Sequence, residues 1–167
     1  NNENPFLHAL DDKIVITWER RIDSPRPQIY YGELNSEGEF ITNPEAVTQS
    51  VRSHRAPKAF EYQGRTYLLW FDNRAGEEHV ILAEKRGVVW NDYDLSTGVE
   101  GLSQFAAPYQ LEDELYILWE NRRNGESSIV VLGPDNFAPS PRITALNFEP
   151  GERYAQDTYA VSWNLPS

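Results

Sequence analysis

Tyr67-Leu68-Leu69-Trp70-Phe71-Asp72-Asn73-Arg74 decides the fold, because the chain writes the same sentence three times. The other copies are Ile14-Val15-Ile16-Thr17-Trp18-Glu19-Arg20-Arg21 and Tyr116-Ile117-Leu118-Trp119-Glu120-Asn121-Arg122-Arg123, which sets the tryptophans 52 and then 49 residues apart. Upstream, Pro5 and Pro57 each lie 13 residues before their tryptophan and Pro108 lies 11 before Trp119. Turn pairs stand between proline and tryptophan at Asp11-Asp12, Gln63-Gly64 and Glu112-Asp113. Downstream, second apolar runs begin at Ile29, Val80 and Ile129, and turn residues follow at Asn35-Ser36-Glu37-Gly38, Arg86-Gly87 and Gly133-Pro134-Asp135-Asn136.

Each unit therefore reads as a four-stranded antiparallel meander with its tryptophan near the end of the second strand. Parity puts Ile14 and Ile16, Thr66 and Leu68, and Leu115 and Ile117 on one face. Val15 and Thr17, Tyr67 and Leu69, and Tyr116 and Leu118 take the other. Both faces are largely apolar, as in a sheet held between neighbours, and about 50 residues per four-stranded sheet is the period of a β-propeller blade. No stretch keeps a helical apolar period, and the runs are rich in Val, Ile, Tyr, Phe, Trp and Thr. The expected fold is all-β, a propeller-like array of about three four-stranded blades over residues 4 to 142.

The units resemble the tryptophan/aspartate/arginine-type repeats, distantly similar to sialidase-like (BNR) repeats, of large secreted or surface bacterial β-propeller proteins. The resemblance covers residues 4 to 142. It rests on Trp70, Asp72, Arg74 and Gly76, on Trp119, Asn121, Arg123 and Gly125, and more loosely on Trp18, Arg20 and Arg21. The sialidase Asp-box, Ser-x-Asp-x-Gly-x-Thr-Trp, is missing, which weighs against the enzymatic branch. The resemblance implies an extracellular, cell-surface or periplasmic setting.

The tail carries Pro150, 13 residues before Trp163, with Gln156-Asp157 at the turn position. It reads either as a partial fourth repeat or, from Ser162-Trp163-Asn164-Leu165-Pro166, as the opening strand of a fibronectin type III-like sandwich. The division expected is 1–141 for the repeats and 142–167 for the tail, with Pro139-Ser140-Pro141 at the boundary.

Composition narrows the function. Of 167 residues, 26 are acidic and 15 basic, a formal charge of −11 that repels phosphate backbones and anionic lipid headgroups. Hydrophobic residues at 40% suffice for a core. No apolar run reaches the roughly 18 residues of a membrane-spanning helix. The lack of cysteine excludes disulfides, thiolate metal sites and a cysteine nucleophile. Methionine is absent too, even at position 1, so the chain reads as part of something longer.

The arginines after the second strands, beside tryptophan and acids or amides, have the chemistry to grip a sugar or carboxylate: the guanidinium fork binds oxygens and the indole stacks on a ring. The ligand-binding candidates are Arg21, Asp72, Arg74, Asn121 and Arg123. Recurrence in every unit favours instead a structural pairing with neighbouring acids or carbonyls, and the tryptophans read as wedges between blades. His8, His54 and His79 lie in different units without ligand spacing, and the acids near Asp72, Glu77, Glu78, Asp92 and Asp94 follow no calcium-loop pattern, so neither a metal site nor a cofactor is expected. Glu19 and Glu120 occupy equivalent positions, which argues against a catalytic acid and base. No nucleophile elbow or phosphate loop occurs. The reading is a non-catalytic recognition or scaffold module of a larger exported protein that binds protein or glycan through blade loops, a second copy being one way to complete the ring. The alternative is a fragment of a sialidase-like glycoside-processing propeller enzyme whose catalytic acids lie partly elsewhere.

Overall fold

Period-two alternation makes each apolar run a strand, and the acidic or glycine-containing pairs between runs reverse the chain. The computed structural model describes residues 1–10, 12–22, 25–73 and 76–133 and the strand Thr158–Trp163. Over these residues the strands assemble into three four-stranded antiparallel sheets. The first holds β1 (Asn2–Ala9), β2 (Ile14–Arg20), β3 (Gln28–Leu34) and β4 (Glu45–Ala46). The second holds β5 (His54–Tyr62), β6 (Arg65–Asp72), β7 (His79–Arg86) and β8 (Val89–Asp94). The third holds β9 (Leu102–Leu111), β10 (Glu114–Arg123), β11 (Glu126–Leu132) and β12 (Thr158–Trp163). Spatial order follows chain order in every sheet, and Trp18, Trp70 and Trp119 stand opposite Tyr30, Ile81 and Val130 on the third strands. The repeat is structural: these are propeller-like blades.

The fourth strand of the third blade comes from farther along the chain than the spacing suggests. Thr158–Trp163 runs antiparallel along β11, from Ser127↔Trp163 to Leu132↔Thr158. The boundary at Pro139-Ser140-Pro141 lies outside the described residues.

The blades stack in a fixed sense. Val15, Ile29 and Tyr31 of the first blade pack on Leu68, Trp70, Ile81 and Ala83 of the second. Leu69, Phe71, Val80 and Leu82, on the second blade's opposite side, pack on Leu115, Ile117, Trp119, Val130 and Leu132 of the third. At both junctions the tryptophan side of one blade meets the other side of the blade before it. This explains why both faces of β6 are apolar. Trp70 and Trp119 are accordingly buried at 3% and 1% exposure. Trp18, on the leading side of the first blade, is half-buried and is flanked by Tyr30 at 5.6 Å and Phe40 at 6.4 Å. On the trailing side of the third blade, Tyr116, Leu118, Ile129 and Val131 are likewise half-buried.

Polar bonds pin the junctions. Lys85 Nζ donates to Glu45 Oε1 at 2.8 Å while lying 4.0 Å from the centre of the Tyr31 ring, and Trp90 Nε1 donates to the same carboxylate at 3.0 Å. Between the second and third blades, Lys58 Nζ donates to the Ala106 carbonyl at 2.8 Å, its burial lowering the ammonium's pKa, and the Tyr62 hydroxyl donates to the Asp113 carbonyl at 2.7 Å.

Another repeat appears only in three dimensions. Each first strand has a register shift where one residue takes a left-handed backbone: Asn4 (φ 49), Ala56 (φ 52) and Phe105 (φ 56). All three lie 14 residues before the blade's tryptophan. Pro5 and Pro57 follow the first two, where the ladder is interrupted and a missing N–H costs little. In the third blade Ala106 takes that place, so Pro108 is not the counterpart of the other prolines. The linkers leaving the outer strands repeat as well. Thr48 Oγ1 accepts from the Ile29 N–H at 2.9 Å and Ser96 Oγ from the Val80 N–H at 3.0 Å, each tying the linker to its third strand.

Candidate functional site

β1, β5 and β9 hold the same place in the three blades, an edge strand of each sheet that would border the central channel were such blades to close into a ring. Immediately before the left-handed residue, the three blades present different side chains: Glu3, Arg55 and Gln104. A carboxylate, a guanidinium and an amide thus occupy one structural position. Glu3 and Gln104 are half-buried and Arg55 is exposed, and the next residues, Asn4, Ala56 and Phe105, are exposed, Phe105 at 72%. The bulge is what turns this level of the strand out of the ladder.

These groups are held by neighbours. Glu3 Oε1 accepts from Arg21 Nη1 at 2.7 Å and from Asn1 Nδ2 at 2.6 Å, and Arg55 pairs with Glu78. Below them the buried carboxylate of Glu19 accepts from Asn4 Nδ2 and from the Ala56 N–H, both at 2.8 Å. One acid therefore organises the bulges of two adjacent blades. Its counterpart Phe71 fills the same space at the next junction with carbon, and Glu120, on the trailing side of the third blade, turns instead to Arg122 at 2.6 Å and Ser127 at 2.8 Å.

The arginine-loop residues sit at equivalent ends of the second strands, and those described are engaged within their own units. Arg21 holds Glu3. Asn121 Nδ2 donates to the Glu100 carbonyl at 3.0 Å, and Arg123 pairs with the Glu100 carboxylate. Gly101 lies beside them at φ +114, where a Cβ would stand 2.5 Å from the Arg122 carbonyl oxygen, so this linker can lie on β10 only as glycine. Asp72 is buried at 1% exposure and its Oδ2 lies 3.8 Å from His54 Nδ1. Arg74 lies outside the described residues.

Arg123 and Glu100 are both largely exposed, at 60% and 70%. Solvent screens such a pair, so Arg123→Ala is expected to cost less than about 1 kcal/mol. Urea unfolding of the variant checks this, and a loss above that range would mean that Arg123 fastens the blade.

Sequence reasoning missed Glu3, Arg55 and Gln104 because it searched for what the units share, whereas these positions differ in all three. The signal available was their constant distance of 15 residues before each tryptophan. Among the described residues no three His, Asp or Glu side chains come together as a metal site.

No family model and no curated protein sequence matches the chain. Solved structures share its fold. An endo-arabinase from Bacteroides thetaiotaomicron superposes with a TM-score of 0.61 at 13% identity over 82% of this chain and 58% of its own. The Bacteroides ovatus protein titled xyloglucan PUL GH43B gives 0.57 at 17% identity over 86% and 29%. An alpha-L-arabinofuranosidase from Podospora anserina, in complex with cellotriose, gives 0.53 at 10% identity over 83% and 48%. The chain thus spans less than two thirds of the length of each of these structures.

Proposed function

We propose that the chain is the glycan-binding part of a glycoside-processing propeller protein whose catalytic acids are supplied partly by blades other than these three. The observation that carries this reading is the unlike set Glu3, Arg55 and Gln104 at one level of the three inner strands. Structural bonds recur from blade to blade, as the tryptophans and the Thr48 and Ser96 anchors do. A ligand site asks each blade for something different. Carboxylate, guanidinium and amide are the groups that read sugar hydroxyls, and the exposed Phe105 ring offers a stacking face. The glycan-acting names of the structures sharing this fold support the same direction. Glycoside hydrolysis ordinarily needs two carboxyl groups across the scissile bond, and at this level the described inner strands bring one, Glu3. This favours a processing enzyme assembled with further blades over a self-sufficient catalyst. It also implies a location outside the cytoplasm.

Isothermal titration with arabinan, xyloglucan and cello-oligosaccharides tests the reading. Binding of at least one is expected, with Arg55→Ala and Gln104→Ala each lowering affinity about tenfold or more while the melting temperature stays within a degree or two. Binding that is indifferent to both substitutions would move the site away from the inner strands.

The half-buried apolar sides of the first and third blades are the two halves of the junction seen twice inside the molecule. On this reading the partner that covers them is another blade of the same construction, from the rest of a longer chain or from a second copy.

A further inference from the structure

The cleft between the linker after β4 and the tryptophan side of the second blade holds a serine, a histidine and an aspartate in a chain of contacts. Ser50 Oγ lies 2.8 Å from His54 Nε2, and His54 Nδ1 lies 3.8 Å from Asp72 Oδ2. Ser50 is exposed at the mouth, whereas His54 and Asp72 are 4% and 1% exposed. The cleft encloses about 200 Å³ between Val47, Trp70 and Trp90, with Gln49, Arg52 and Asp92 on its polar wall.

The backbone fixes each member. Ser50 is clamped by Gln28, whose Nε2 donates to the Ser50 carbonyl at 3.0 Å and whose Oε1 accepts from the Ser50 N–H at 3.1 Å. The Arg52 N–H donates to Ser50 Oγ at 3.0 Å, which orients the hydroxyl toward the imidazole. His54 opens β5, its N–H bonded to the Pro27 carbonyl at 3.0 Å, and it is the strand partner of Asp72. The Trp70 ring lies 6.4 Å away, edge to face. His54 Nδ1, at 3.8 Å from Asp72 Oδ2, is within ion-pair reach of that carboxylate and beyond hydrogen-bond distance.

The equivalent junction shows that this set is no structural necessity. Between the second and third blades, Gly98 stands two residues after Ser96 as Ser50 stands two after Thr48, and the strand pair His54↔Asp72 becomes Ser103↔Asn121. At that junction glycine stands in the place of Ser50, serine in that of His54 and asparagine in that of Asp72.

We propose that Ser50, His54 and Asp72 form an acyl-transfer site for neutral esters with a short acyl group. Ser50 Oγ bonds to the acyl carbon while its proton passes to His54 Nε2, and Asp72 stabilises the imidazolium. The tetrahedral intermediate expels the alcohol oxygen, which takes the proton from His54. Water then attacks the acyl-serine with His54 again accepting the proton, releasing the carboxylic acid and restoring Ser50. The apolar walls and the cleft volume admit a small acyl chain, and Arg52 and Asp92 on the polar wall carry opposite charges, so neither sign of acyl group is favoured.

Reaction of the intact protein with an alkyl fluorophosphonate, followed by peptide mass analysis, tests the site together with p-nitrophenyl acetate hydrolysis. One adduct on Ser50 is expected, absent from Ser50→Ala, with ester turnover falling about a hundredfold or more in Ser50→Ala and in His54→Gln. Because His54 is buried, circular dichroism accompanies its variant. If that variant fails to fold, Ser50→Cys replaces it, expected to react with iodoacetamide faster than a free thiol. A folded protein with no adduct on Ser50, or turnover unchanged in Ser50→Ala, overturns the proposal. This outcome is independent of sugar binding at the inner strands.

Discussion

Trp119→Ala is expected to lower unfolding stability by about 3–5 kcal/mol, whereas Trp18→Ala lowers it by about 1–2 kcal/mol, although both residues occupy the same place in the repeat. The difference comes from what each side chain faces. Trp119 is 1% exposed within a cluster that includes Leu69, Phe71, Val80 and Leu82 of the preceding blade, so truncation leaves a cavity walled by two rigid sheets. Trp18 lies on the outer side of the first blade, half-buried beside Tyr30 and Phe40, where solvent and the Phe40 ring can fill part of the space. Urea unfolding of the two variants in parallel is the measurement. Equal losses would mean that Trp18 is as enclosed as Trp119, contrary to the stacking sense described above.

Glu19→Ala is the second large effect, a loss of about 2–3 kcal/mol. Glu19 is 2% exposed, and one carboxylate oxygen serves both the Asn4 amide and the Ala56 N–H. Removing it leaves a backbone donor without its acceptor at the junction of two blades. Glu19→Gln keeps a carbonyl oxygen of the same reach and is expected to recover about half of the loss. Glu120→Ala, which loses contacts to Arg122 and Ser127 near solvent, should melt close to the parent. Thermal melts of the three variants check the ranking. A Glu120 variant as damaged as the Glu19 one would show that position, not the bulge contact, is what matters.

Blade architecture was legible because tryptophan, its apolar neighbours and the turn pairs recur at nearly constant intervals, and a strand alternates whatever it packs against. Which blade side meets which was not legible, since Leu68 and Leu69 are both fully buried and look alike as letters. Proline misled the alignment of the third unit: Ala106 satisfies the same bulge, because the left-handed backbone is that of Phe105 itself and asks for no proline after it. The fourth strand of the third blade escaped because pairing with β11 is long-range and the intervening length follows no period. At the site, Asp72 was legible as a position and its neighbour was not. His54 reaches it from another strand and Ser50 from a linker, so the three letters are scattered over 23 positions with no motif. Glu3, Arg55 and Gln104 were hidden for the opposite reason, as variation inside a repeat whose constancy drew the reading.

The single stacking sense of the blades makes the array polar, with a leading surface around Trp18 and a trailing one around Tyr116 and Leu118. Surfaces of this kind join head to tail and never face to face, so one contact between two arrays cannot be self-complementary. Adding one array to another always regenerates one free surface of each kind. Growth stops only when the accumulated rotation brings the last trailing surface back to the first leading one. The angle between successive blades therefore decides between a closed ring and an open filament, and any substitution that alters this angle at one junction alters it for the whole assembly.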